Sequence, residues 1–351
     1  MNLNETGYSK YALVREMMDA IGVARGFEPG RTRKVAGKIK SVGRLMLTGE
    51  GSSRIFPAKN AIRKASRWGL DLRVCTDGSR QAAQYDLSKF AVFCASNSGR
   101  TKEIVVLAKK LAAEGNRFRY GLTANKGTVL EEAVKEAFVL NCGWEQACAA
   151  TKSVIEQALF YQSILSHVAG RNMAKDLAGL DRKIRTALTM RIDPKIVRKA
   201  ARAGTIYIAG YNDGVAEELA LKTNEITRKK SDYLEGTYAV HGVEEVMDRS
   251  DIVFVVDPID EEVEKFREVL IKGVGLTVVA IADRATPFPT IRVPSAGEMA
   301  PFVYLAAGWN VLVEIGLALG INLDKPQRAR KVGNEYIVKA RTRRKRARRP
   351  R

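Results

Sequence analysis

Short, uninterrupted apolar runs alternate with helical patterns along most of this chain. In the first half they are "RLMLTG" (44–49), "LRVCT" (72–76), "FAVFCAS" (90–96), "RFRYGLTA" (117–124) and "AFVLNC" (137–142). In the second they are "TIYIAG" (205–210), "DIVFVVD" (251–257), "LTVVAIA" (276–282) and "TIRVP" (290–294). A strand that is apolar on both sides is covered on both faces, which means a parallel sheet with crossover helices. Helical patterns near 54–68, over 151–169 and over about 302–319 supply the cover. The pattern predicts an α/β chain of two tandem, doubly wound parallel-sheet domains. We expect an N-terminal helical segment (1–37), a first domain (38–170), a helical connector (171–200), a second domain (201–330) and a C-terminal segment with a basic tail (331–351).

At 351 residues, 46% hydrophobic and 28% charged, the chain has room for two ordinary globular cores. No uninterrupted apolar run of membrane-spanning length is evident, and the N-terminus lacks the layout of a signal peptide. No membrane partner is therefore expected. Cys75, Cys94, Cys142 and Cys148 form no CxxC pair, and His167 and His241 are the only histidines. The cysteines read as reduced residues of a cytoplasmic protein, and neither a metal site nor another cofactor is expected. Of the net charge of +20, nine units sit in "KARTRRKRARRPR" (339–351), leaving +11 elsewhere. The tail suits contact with a polyanion, and the remaining excess suits an anionic ligand.

Ligands of such sheets bind beyond the carboxyl ends of the strands, where helix N-termini face them. Three segments of the first half fall there: "TGEGSSR", "SNSGRT" and "CGWEQACAATK". Glycines let the backbone approach, unpaired N–H groups point outward and hydroxyls add donors, a combination that fits phosphate. Ser98 or Thr101 alone could simply cap a helix. Three such turns at one end of one sheet favour a pocket. It is neither a Walker loop nor a GxGxxG turn.

These segments resemble the phosphosugar-binding loops of sugar isomerase (SIS) domains, with S-x-S-G-x-T falling on Ser96, Ser98, Gly99 and Thr101. The second half resembles the isomerase half of glutamine–fructose-6-phosphate amidotransferases. There A-x-E-x-A-L-K-x-x-E is followed sixteen residues later by H-G; here "AEELALKTNE" carries Glu218, Lys222 and Glu225, and "AVHGVEE" carries His241. "LGINLDKPQRARKV" resembles the closing D-x-P segment of that family and places Lys331 five residues after its proline. The resemblance covers about 38–338 and implies SIS-type, flavodoxin-like domains. It also implies that Ser53, Ser96, Asn97, Ser98 and Thr101 hold the sugar phosphate and nearby hydroxyls. Ser52 and Cys148 stand in the same loops and count with them, although a cysteine there packs as readily as it binds. Glu145 either touches sugar hydroxyls or only fixes its loop.

By the same resemblance Glu225 is the base moving a proton between C1 and C2, with Lys222 beside it. His241 and Lys331 would open the sugar ring, at a site completed by a second subunit of a homodimer. On spacing alone, Glu218, Lys222 and Glu225 share one helix face and read equally as surface ion pairs. His167 reads as structural. Aldose–ketose chemistry needs a carboxylate base and an acid–base pair for ring opening, and the resemblance supplies both. The expected reaction is conversion of glucosamine 6-phosphate to fructose 6-phosphate and ammonia. The alternatives are another phosphosugar isomerase or a non-catalytic phosphosugar-binding regulator. The stretch begins at the isomerase half, so no glutaminase is expected ahead of it. Arg100 replaces the acid of S-x-S-G-E-T, Tyr238 stands where an acid usually precedes the histidine, and H-G-P reads H-G-V.

Overall fold

Five parallel strands form the first sheet of the computed structural model, which describes residues 1–337. They are β1 (Arg44–Thr48), β2 (Arg73–Asp77), β3 (Ala91–Ala95), β4 (Arg119–Thr123) and β5 (Glu136–Val139), in the order β2-β1-β3-β4-β5. The second sheet holds β6 (Thr205–Gly210), β7 (Lys230–Glu235), β8 (Ile252–Val256), β9 (Thr277–Ala282) and β10 (Thr290–Arg292), in the order β10-β9-β8-β6-β7. Read from its first strand, each sheet has the flavodoxin-like order 2-1-3-4-5, so the α/β expectation and its doubling hold. The central strands β3 and β8 are buried at every residue, as their unbroken apolar sequences require.

One strand escapes the pattern. β7 reads "KSDYLE" and was not expected from the sequence. Among the described residues it pairs only with β6, and its exposed positions are Lys230, Asp232 and Glu235.

The helix Ala300–Ala318 lies where one was expected, over about 302–319. By length and composition Gly297–Ala318 is apolar enough to span a membrane, yet 83% of its most apolar window is buried inside the fold. It is apolar all round because it is surrounded by protein. Gly308 is required there, since a Cβ would stand 2.3 Å from Leu219 Cδ2. One continuous apolar core runs from Leu13 through both sheets to Trp309. The domain contact is also charged: Arg63 meets Asp213 at 2.8 Å and Lys64 meets Glu298 at 2.8 Å.

The N-terminal segment is part of this core. The amides of Ala12 and Leu13, which open the helix Ala12–Arg25, donate to the Asp324 carboxylate at 2.8 Å each. A further helix, Arg33–Val42, crosses the boundary drawn at 37. The basic tail, 339–351, lies outside the described residues.

Candidate active site

A cleft of ≈ 420 Å³ opens at the carboxyl ends of β1 and β3, where the strand order of the first sheet reverses. Its first wall is the turn after β1. Gly49 leaves no room for a side chain, because a Cβ would stand 2.7 Å from the Ser53 carbonyl oxygen. Gln157, from the helix Lys152–Val168, donates to that carbonyl. Ser53 faces the cleft, and Ser52 beside it accepts a 2.6 Å hydrogen bond from Lys222 Nζ.

The second wall is the turn after β3. Gly99 has φ +64°, and a Cβ there would stand 2.3 Å from Thr128 Cβ, so only glycine fits. Thr101 is the N-cap residue of the helix Lys102–Ala113 but makes no side-chain cap bond. Its hydroxyl instead lies 2.8 Å from Ser96 Oγ, which is 3.4 Å from Ser98 Oγ. Capping by Thr101 therefore does not describe this turn; Ser98 Oγ accepts the Arg100 amide at 3.2 Å, and the three hydroxyls stay together at a helix N-terminus. Asn97 buckles the walls together: its Nδ2 donates to Ser153 Oγ at 2.6 Å, and its carbonyl accepts the Ala124 amide at 3.0 Å.

The third wall is the loop after β5. Glu145 is 2% exposed and accepts from the Thr151 amide (2.7 Å) and Ser153 Oγ (2.6 Å). Burial alone would raise its pKa, but Lys331 at 3.5 Å and these hydrogen bonds hold it below the ordinary carboxylate value. Cys148 lines the cleft half-buried; burial first, then the charge of Glu225, push its thiol up and away from the reactive thiolate.

Lys331 arrives on the C-terminal segment. That segment runs antiparallel to the second wall: the Lys102 amide donates to the Asn334 carbonyl at 3.0 Å and the Tyr336 amide to the Arg100 carbonyl at 2.8 Å. Arg100, an oddity in the sequence, pairs with Glu335 at 3.4 Å.

The fourth wall comes from the second domain. The helix Val215–Lys222 continues as a π-helical turn, Thr223–Thr227, with Thr223 and Thr227 hydroxyls returned to the Leu219 and Thr223 carbonyls. Such turns are frequent at functional sites. Here the turn carries Glu225 into the cleft while Glu218 and Lys222 are fully enclosed. These are not surface ion pairs. Lys222 Nζ lies 2.7 Å from Glu225 and 3.2 Å from Glu218. Burial works against its charge, but Glu225 and Glu218 together overcome that and raise its pKa. Glu218 is pushed up by burial, with Lys222 opposing.

Of the twelve candidate residues, nine line the cleft, and Ser96 and Lys222 stand directly behind it. His241 does not join them. It is exposed between the 3₁₀ turns Tyr238–Val240 and Val243–Val246, flanked by Tyr238 (60% exposed) and Val246 (74%). His167 packs with its Nε2 2.8 Å from the Pro29 carbonyl oxygen, away from the cleft. Sequence reasoning missed Glu16, which holds the third wall from behind. Nothing local marks it, because its partners are backbone amides 130 residues on.

No protein-family model matches the chain. It is 24% identical over 362 aligned positions to the isomerizing glutamine–fructose-6-phosphate aminotransferase of Aeropyrum pernix, covering 92% of this chain and 57% of that protein. With the same enzyme of Buchnera aphidicola it shares 25% over 216 positions, 54% of this chain and 34% of the other. The chain thus spans between a third and somewhat more than half of the curated relatives it matches. Solved structures similar to it include the C-terminal domain of the Francisella tularensis glucosamine-fructose-6-phosphate aminotransferase (TM-score 0.74, 16% identity, covering 90% of this chain and 98% of that one). Others are tagatose-6-phosphate ketose/aldose isomerase from Escherichia coli (0.71, 17%, 93% and 99%) and glucosamine-6-phosphate deaminase from Thermotoga maritima (0.70, 18%, 92% and 99%).

Proposed function

We propose that this chain, which is built as two tandem SIS domains, is a phosphosugar isomerase, and specifically a glucosamine-6-phosphate deaminase. One observation carries the reading: the enclosed set Glu218–Lys222–Glu225 presents a single carboxylate, Glu225, across the cleft from the hydroxyl-rich turns. Burying Glu218 and Lys222 behind a partly exposed Glu225 is costly, and breaking such a set by removing one buried member typically costs about 3–5 kcal/mol. Holding a phosphate needs none of them. That favours catalysis over a sensor.

On this reading the turns Ser52–Ser53 and Ser96–Thr101 hold the phosphate, with a helix N-terminus behind it. With the ring open, Glu225 takes the proton from C2 while O1 gains one, forming an enolamine. Glu225 then returns its proton to C1, leaving an imine at C2. Water adds to that carbon and ammonia departs, giving fructose 6-phosphate. Lys222 holds Glu225 in place by hydrogen bond and charge. Lys331 is in position to serve O1 or the ring oxygen. His241 would come from a second copy of the chain, whose exposed Tyr238 and Val246 would be covered in a homodimer.

The test is ammonia release from glucosamine 6-phosphate, with fructose 6-phosphate followed in the same tube. Equimolar products, reduced by about 10²–10⁴-fold in Glu225→Gln, support the deaminase. Binding without turnover would overturn it. Turnover of a ketose phosphate without nitrogen would leave the plain isomerase, and no turnover of any sugar phosphate would leave the regulator.

A further inference from the structure

Glu16, on the helix Ala12–Arg25, is 6% exposed. Its carboxylate accepts the amide of Gln146 and, at 3.2 Å, that of Ala147. These are the two residues between Glu145 and Cys148, both of which line the cleft. The loop there belongs to no helix or strand, and Ala147 is fully buried. Its amide has no water to fall back on, and an orphaned buried donor is costly. Two converging N–H donors call for two acceptor oxygens, which a carboxyl group offers and an amide does not. The helix bearing Glu16 is itself fixed by Asp324 at its N-terminus, whereas its Asp19, 3.0 Å from Lys152, forms an exposed pair that contributes little.

We infer that Glu16 is a positioning residue of the cleft: by fixing the backbone at Gln146 and Ala147 it sets Glu145 opposite Lys331. The N-terminal helix is then a working part of the site. The kinetic half of the test rests on the phosphosugar reading; the structural half does not.

The experiment uses the full chain with Glu16→Gln, Glu16→Asp and, as a control on the same helix, Asp19→Asn. Hydrogen exchange over 143–150 is followed without ligand. In Glu16→Gln, exchange at Gln146 and Ala147 rises by about tenfold, the equivalent of roughly one hydrogen bond, while the helix Lys152–Val168 keeps its protection. Asp19→Asn leaves the loop unchanged. Glu16→Asp, charged but one methylene short, falls between and decides the matter if Glu16→Gln does not fold. With glucosamine 6-phosphate, KM rises and kcat falls together in Glu16→Gln, because Glu145 faces the cleft and Lys331, which it meets, serves the reacting oxygen. Unchanged loop exchange would overturn the inference. So would a loss of protection spread evenly over the helices Ala12–Arg25 and Lys152–Val168, which marks a merely structural residue. If the wild-type chain turns over no amino-sugar phosphate, the function has failed, and the exchange result still decides the role of Glu16.

Discussion

Lys222 Nζ lies 2.7 Å from Glu225 while sharing its charge with Glu218 at 3.2 Å, so the carboxylate facing the cleft is held from behind by an ammonium with no solvent access. Lys222→Met keeps the volume and removes the cation, leaving Glu218 buried against an apolar group. A loss of about 3–5 kcal/mol is expected, read from urea unfolding. Lys222→Met with Glu218→Leu should recover much of it, because the second change removes the stranded charge.

Glu145 gives a stability term with a defined pH dependence. Burial works against its charge, but Lys331 and the hydrogen bonds from Ser153 and Thr151 together overcome that and depress its folded pKa. Its contribution is therefore fully present above the unfolded value and is lost as pH falls through the folded one. The stability gap between wild type and Glu145→Gln should be constant near neutrality and shrink only below the ordinary carboxylate range. Thermal unfolding at several pH values measures it.

Gly99→Ala places a methyl where Thr128 already stands and at a φ of +64°. Strain of about 1–3 kcal/mol is expected. The damage should concentrate in the turn holding Ser96, Ser98 and Thr101. Phosphosugar affinity by calorimetry should therefore fall more than the unfolding midpoint.

Arg100→Glu turns an exposed pair with Glu335 into a repulsion. Exposed pairs contribute about 0–1 kcal/mol, so global stability should hardly move. The local pairing should suffer: the amides of Lys102 and Tyr336 should exchange faster than in wild type.

If His241 serves a second copy's cleft, Glu225→Gln and His241→Ala are each inactive alone but complement each other. Mixing them under subunit exchange should restore part of the ammonia release. No recovery in a verified mixed dimer would exclude a shared site.

Much of this was readable from residues. Buried parallel strands must be apolar on both faces, so β3 and β8 stood out, and the turns after β1 and β3 carried small and hydroxylated residues together. β7 hid because an edge strand needs only one good face. The enclosure of Glu218 and Lys222 was not readable, because i, i+4 spacing is the same on a surface helix and on one pressed between domains. Glu16 hid because backbone amides leave no trace in side-chain identity. Arg100 looked like a loss until Glu335 met it from the other end of the chain.

The contact between Glu145 and Lys331 also concerns how the molecule is made. About 186 residues separate them, and at about 5–20 residues per second synthesis needs roughly 10–40 s to cross that distance. All five strands of the first sheet are complete well before then. A newly made first domain therefore waits without the second-domain wall at first, and without Lys331 opposite Glu145 until the last. Any early encounter with an anion meets an unfinished site, so selectivity arises late, when the stretch carrying Lys331 has emerged.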